Sequence, residues 1–131
     1  MAQSKTNLIK ITLKAAFTEQ LKGVFIAYRR APRSIGDNTH LVYELRQLTT
    51  AYNVTKYRLE VNLWSRADFD KLDELADKVE NMLHFAGANL SDGSYIKIYK
   101  DGQREPVDDS DKDINRIRIN FELQHYEGEK S

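Results

Sequence analysis

Within the stretch from Tyr57 to Gly87, the hydrophobic pattern changes from the period of a strand to the period of a helix. Apolar and polar residues alternate from Tyr57 to Leu63, which is the two-residue period of a strand with one buried face. From Phe69 onward, the apolar residues recur every three or four positions, which predicts an amphipathic helix ending near Leu83. We expect Gly87 to end this helix in the left-handed conformation. The stretch therefore predicts a strand followed by a helix that folds back over a sheet.

The same two periods recur elsewhere and predict one more helix and four more strands. The helix covers about residues 4–22 and ends at Gly23, and the strands cover 24–28, 41–48, 95–99 and 115–126. Short connections, such as residues 49–55, favour antiparallel neighbours. We predict an α+β fold: a mostly antiparallel sheet with two helices packed on one face, in the order α-β-β-β-α-β-β.

Three polar segments interrupt the pattern. Residues 29–40 and 101–113 read as mobile loops, and residues 127–131 read as a frayed tail. A length of 131 residues fits one hydrophobic core, so we predict a single domain over residues 1–131.

The composition narrows the class of protein. Lys plus Arg and Asp plus Glu are each 20, so the formal net charge is zero and gives no global reason to expect a nucleic-acid or membrane partner. The absence of cysteine excludes disulfides, thiol catalysis and thiolate zinc sites. Lys5, Lys10 and Lys14 break up the first apolar segment, so it does not resemble a signal peptide, and no run approaches the ~20 apolar residues of a membrane span. We therefore expect a soluble, unexported protein.

Candidate chemistry is sparse. His40, His84 and His125 are far apart in sequence, and none lies in a metal-binding spacing. No glycine-rich phosphate loop is present. We expect no catalytic residue, no cofactor and no enzymatic activity, because no group of titratable residues stands out.

The alternating carboxylates after Pro106 raise the question of whether this segment is a calcium-binding loop. The spacing resembles the start of an EF-hand, but the required glycine, the final glutamate and the following helix are all missing. We predict a solvated acidic loop without a metal, formed by Asp108, Asp109, Asp111 and Asp113.

Two clusters are candidates for contact with a partner. Trp64 lies by alternation on the strand face opposite the core, close to Arg66, and Trp and Arg are enriched in interfaces. The other cluster is a basic turn that comprises Tyr28, Arg29, Arg30 and Arg33. Contact with phosphates is the alternative for this turn, and salt-dependent DNA binding would support it.

The stretch around Trp64 also resembles a known family. A strand of the form Y-x-L-x-V-x-L-W-S at Tyr57–Ser65, followed by D-x-L-x-E-L-A-D-x-V at Asp70–Val79, is similar to tail terminator (tail completion) proteins of long-tailed bacteriophages and prophages. The N-terminal helix, the strand with Leu41–Tyr43 and the final strand from Ile117 to Leu123 fit the same pattern. The segment 29–40 is long for the family.

The resemblance implies a structural role. Such subunits form a ring, commonly a hexamer, that docks on the end of the tail tube, stops its growth and offers a surface for the head connector or head-closure protein. The implied partners are the chain itself, the tube protein and the head connector, without a membrane or a specific nucleic acid. The implied location is the virion tail, assembled in the bacterial cytoplasm. The alternatives are another neck component, such as a head-closure or minor tail protein, or a small nucleic-acid-binding module.

Overall fold

A computed structural model describes residues 5–29, 39–66, 69–108 and 113–127. Two helices and seven strands lie in these ranges. They are α1 (Lys5–Gln20), β1 (Val24–Tyr28), β2 (Thr39–Ala51), β3 (Val54–Ser65), α2 (Phe69–Leu83), β4 (Gly87–Asn89), β5 (Tyr95–Lys100), β6 (Glu105–Pro106) and β7 (Asn115–Tyr126).

The strands form one sheet in the order β1-β2-β3-β7-β5-β4, and β6 pairs with β7 beyond the end of β5. β1 runs parallel to β2, and the other pairs are antiparallel. The predicted α+β class and its order are confirmed, with two short strands added. None of the described helices is long and apolar enough to cross a bilayer.

The core lies between one face of this sheet and both helices. The inward residues of β3 stand opposite those of β7, since Leu59 pairs with Phe121 and Val61 pairs with Ile119. All of these side chains are buried. Both helices cover this face, and their buried residues are Ile9, Leu13 and Phe17 of α1 and Leu72, Ala76, Val79 and Leu83 of α2. The predicted placement of both helices on one face is therefore confirmed.

The β2–β3 hairpin is longer than predicted. Pairing continues to Ala51 and Val54, so only Tyr52 and Asn53 form the turn in place of a connection over residues 49–55. The threonines of this segment favour extended backbone, and they bond across the strands through Thr50 and Thr55. Residues 49–55 contain no glycine, so the sequence did not indicate a two-residue turn.

Gly87 does not end α2 as predicted. Phe85 takes the left-handed conformation, with φ 63°, and Gly87 begins β4. Glycine is needed there for a different reason: a Cβ on Gly87 would lie 2.0 Å from the Tyr95 hydroxyl oxygen. Gly23, in contrast, has φ 78° after α1, as its predicted role at the helix end requires.

The predicted loops are shorter in the structure. Residues 39–40 begin β2, and Glu105–Pro106 form β6, where an edge position tolerates proline. Glu127 of the predicted tail is anchored, because its N–H donates to the Asn53 carbonyl and its carboxylate pairs with Lys5. The remainder of the three segments, residues 30–38, 109–112 and 128–131, lies outside the described residues.

Candidate interaction surfaces

Trp64 lies on the outward face of the sheet, as its alternation predicted, and its partner there is Arg116 of β7. The two residues are directly opposite in the β3–β7 register, and the guanidinium carbon of Arg116 lies 4.5 Å from the centroid of the indole ring. Arg116 also donates from Nε and Nη2 to the Asn62 side-chain oxygen, at 3.1 and 2.9 Å. This bidentate contact holds the guanidinium in place over the ring.

The Trp64–Arg116 pair extends into a row of planar groups across four strands. His40 stands opposite Trp64, and Phe25 stands opposite His40. The rings of Phe25 and His40 stack with centroids 5.3 Å apart, and Phe25 remains 55% exposed. We call Phe25, His40, Trp64 and Arg116 the outward row. It ends in an exposed aromatic side chain, which is suited to contact with another protein.

Arg66 lies exposed just beyond the end of β3. Arg116 was missed because its position opposite Trp64 depends on the register between two strands that lie far apart in sequence. The alternation from Asn115 to Tyr126 placed Arg116 on the outward side, but it could not show which residue it would meet.

The basic turn is partly integrated into the fold. Tyr28 packs edge-on against Tyr43, and its hydroxyl accepts from the Leu45 N–H at 3.2 Å. The Lys10 ammonium lies 4.1 Å from the centroid of the Tyr28 ring, and Arg29 forms an ion pair with Glu44. Tyr28 is therefore an anchor between α1 and β2, whereas Arg29 is exposed. Arg30 and Arg33 lie outside the described residues.

The acidic segment begins and ends beside the outward row. Asp108 and Asp113 are exposed, and Asp109 and Asp111 lie outside the described residues. The Val107 N–H donates to the Arg116 carbonyl at 2.9 Å, which carries the chain from β6 past the end of the row. The sequence did not show that these two predicted clusters are neighbours. Within the described ranges, no group of three His, Asp or Glu side chains is placed to hold a metal ion.

The tip of the β2–β3 hairpin is an exposed apolar feature that the sequence analysis missed. Tyr52 is fully exposed and has φ 57°, a backbone conformation that favours glycine. The register of the hairpin shifts between Gln47 and Thr49, and the residue within this bulge, Leu48, is 46% exposed. A bulge near a strand edge re-aims a side chain, here toward solvent.

A groove on the helix side of the molecule is the second apolar feature. It has a volume of about 350 Å³ and lies between α1, the C-terminal end of α2 and strands β4 and β5. Small residues such as Ala16, Ala86 and Gly87 keep it open. Its lining carries no charged side chain and comprises Thr12, Leu13, Ala16, Gln20, Met82, Leu83, Ala86, Gly87, Ala88, Ile96 and Ile98.

A polar cluster near the end of β7 has the residue types of a catalytic triad in a different arrangement, with Ser94 and His125 buried and Asp92 exposed. Ser94 donates its hydroxyl to Asp92 and accepts from His125 Nε2 at 2.9 Å. In a nucleophilic triad the histidine stands between the serine and the carboxylate and takes the serine proton. Here the serine is in the middle, so His125 does not activate it.

Burial shifts the pKa of His125, and hydrogen bonds shift the pKa of Asp92. Burial lowers the pKa of His125, with the nearby Asp92 acting in the opposite direction and Lys5 reinforcing the effect. The hydrogen bonds from Ser94 lower the pKa of Asp92. His125 Nδ1 is buried without a hydrogen-bond partner in the described structure, as suits a neutral ring protonated at Nε2.

Comparison with known proteins identifies a shared fold and assigns no function. No family model matches the chain, and no curated protein matches its sequence. A solved structure, whose name carries no functional meaning, matches with a TM-score of 0.66 and 12% identity. The match covers 98% of this chain and 100% of that one, so the architecture is shared over the full described length.

Proposed function

We propose that this chain is a tail terminator of a long-tailed bacteriophage or prophage. In this role, its subunits form a ring, commonly a hexamer, on the end of the tail tube. The ring stops tube growth and offers a joining surface to the head connector or head-closure protein. The protein is assembled in the bacterial cytoplasm and ends in the virion tail.

The observation that carries this proposal is the β3–α2 unit. The motif that resembles the family, Tyr57–Ser65 followed by Asp70–Val79, lies on the central strand β3 and the helix α2 that covers the sheet. The residues of the motif are core residues on one side, while Trp64 belongs to the outward row. The motif therefore specifies the core of the fold. Exposed side chains for contacts with other subunits lie outside it, at Phe25 of the outward row and at Tyr52 of the hairpin tip.

The surfaces of the subunit suit assembly better than chemistry. The triad-like cluster of Asp92, Ser94 and His125 is arranged for structure, as its hydrogen bonds indicate. Exposed aromatic residues occur instead at several places in the described structure, among them Phe25 on the outward row and Tyr52 at the hairpin tip, which are unlike surfaces. A closed ring of identical subunits requires two different surfaces on each subunit, because its contacts run head to tail.

The mechanism that we propose is competitive docking. The terminator presents to the tube end a face that imitates the next tube ring, and its opposite face does not accept another ring. Addition of one terminator ring therefore ends polymerisation without a covalent step.

The test is electron microscopy of purified tail tubes from the phage or prophage that encodes the chain, with and without added protein. We expect a ring on tube ends and tubes that no longer elongate. Phe25→Ser should weaken capping roughly tenfold if the outward row makes a contact, and Phe25→Tyr, which keeps the ring, should not. Rings found on head connectors and absent from tube ends would instead indicate a head-closure protein. Salt-dependent binding to DNA without capping would indicate a nucleic-acid-binding module.

A further inference from the structure

We infer that the tip of the β2–β3 hairpin of one subunit docks into the apolar groove between α1 and α2 of the next copy of this chain. This inference rests on the proposed function, because it assigns the contact by which the ring closes. The residue that enters the groove is Tyr52, and Leu48 covers its rim.

The first argument is the backbone strain at Tyr52. A side chain in the left-handed region is strained relative to glycine, and Tyr52 has φ 57° at the first of two turn residues. The side chain is fully exposed, so it gains no packing within its own subunit. A strained and exposed aromatic residue is explained if it makes its contact with another molecule.

The second argument is the reach of the hairpin. β1 pairs with β2 only as far as Tyr43, and the Tyr28 hydroxyl then contacts the Leu45 N–H and carbonyl. Beyond this point, residues 46–51 of β2 are all exposed. The end of the hairpin therefore projects past β1 and is accessible to a neighbour.

The third argument is the match between the two surfaces. The tip segment Leu48–Val54 contains no charged residue, in a chain in which 31% of residues are charged. The groove lining is also uncharged and is mostly apolar. An apolar contact between uncharged surfaces avoids desolvation of ion pairs, and an aromatic anchor in a pocket is the usual centre of such an interface.

The geometry favours a second copy as the occupant. Tyr52 does not fill the groove of its own subunit, since its side chain is fully exposed. The hairpin tip and the groove lie on different parts of the subunit. A contact between copies is therefore head to tail, and each copy repeats it. This is the type of contact that closes a ring.

The chain offers a clean test by disulfide trapping, because it contains no cysteine. We propose two single variants, Ala51→Cys, an exposed tip position that keeps Tyr52, and Gln20→Cys in the groove lining. They are mixed and oxidised at high concentration and also on tube ends. We expect a disulfide-linked heterodimer from the mixture and neither homodimer. Ala51→Cys mixed with Asp101→Cys, an exposed position outside the groove lining, is the matched control.

A second pair of variants tests the groove without a cross-link. Ala16→Phe fills the groove, whereas Ala15→Phe places the same side chain on an exposed position of α1 that does not line it. We expect Ala16→Phe and Tyr52→Gly to reduce ring formation roughly tenfold or more, and Ala15→Phe to leave it near the wild-type level.

The outcomes separate this contact from the proposed function. Capping rings formed by wild-type protein, together with an absent cross-link between Ala51→Cys and Gln20→Cys and full activity of Tyr52→Gly, would overturn the hairpin contact and leave the terminator function intact. The expected cross-link, with no capping of tubes, would support the contact and overturn the function. An Ala51→Cys homodimer would show a tip-to-tip contact and overturn the head-to-tail geometry.

Discussion

The Arg116 guanidinium lies over the indole ring of Trp64, 4.5 Å from its centroid, and it is held there by two hydrogen bonds to the Asn62 side-chain oxygen. The contact joins the two long strands β3 and β7 on the outward face of the sheet. Both side chains are half-buried, so the attraction between the cation and the ring is only partly screened by water.

We predict an energetic coupling of about 1 kcal/mol between these two residues. The measurement is a double-mutant cycle of Trp64→Leu and Arg116→Met, followed by denaturant unfolding. Asn62→Ala should release the guanidinium and reduce the same coupling. Additive effects of the Trp64 and Arg116 substitutions would show that the two side chains are neighbours without a net interaction.

Tyr52→Gly should leave the stability of the isolated subunit within about 1 kcal/mol of the wild type. Glycine relieves the strain at φ 57°, and its greater freedom in the unfolded chain offsets part of this gain. The midpoint of thermal or denaturant unfolding measures the change. A loss of several kcal/mol would mean that Tyr52 packs within its own subunit, contrary to its full exposure.

Gly87→Ala should destabilise the protein by about 1–3 kcal/mol, because the new Cβ would lie 2.0 Å from the Tyr95 hydroxyl oxygen and 2.8 Å from Cζ. The Tyr95 ring must then shift, which disturbs its packing against Tyr126. Tyr95→Val removes the ring and should reduce the cost of Gly87→Ala in the double variant. Equal costs in both backgrounds would show that the strain has another source.

The stability of the protein should decrease as the pH falls below 6.5. Burial lowers the pKa of His125 in the folded state, so the unfolded chain binds a proton that the folded one rejects. The contribution of His125 is fully present above pH 6.5 and is lost as the pH falls toward the lower pKa of the folded state. The groups that face the ring are Ser94, Asp92 and Lys5.

Denaturant unfolding between pH 8 and pH 5 tests this dependence. His125→Gln keeps a donor toward Ser94 but does not titrate, so its stability should vary less over this range. The pKa of Asp92 is also lowered. Its contribution to the free energy of unfolding is lost only as the pH falls below 3.8, outside the range in which His125 titrates. Identical pH profiles for the two proteins would contradict the assignment to His125.

Local patterns predicted most of the fold, because each long element repeats its period several times. The strand at Asn115–Tyr126 was predicted with its observed bounds, as its inward and outward residues alternate without interruption. The apolar stripe from Phe69 to Leu83 predicted the helix α2 for the same reason, although the helix was expected to continue to Gly87. The short strands β4 and β6 were not predicted, because two or three residues carry no period.

The contact surfaces were less predictable, since they depend on register and packing. Alternation placed Trp64 outward, but only the β3–β7 register brings Arg116 to it. Tyr52 was assigned to a connection, because nothing in its neighbourhood has the glycine of a typical two-residue turn. The groove is formed by residues from four separate elements and has no counterpart in any single stretch of sequence.

The most direct measurement of the central claim is electron microscopy of tail tubes incubated with the purified protein, combined with the mass of the added ring. We predict a single ring of about six copies on a tube end, which blocks further addition of tube subunits. Tubes that continue to grow at the same rate with unoccupied ends, at protein concentrations well above those of the tubes, would contradict the account.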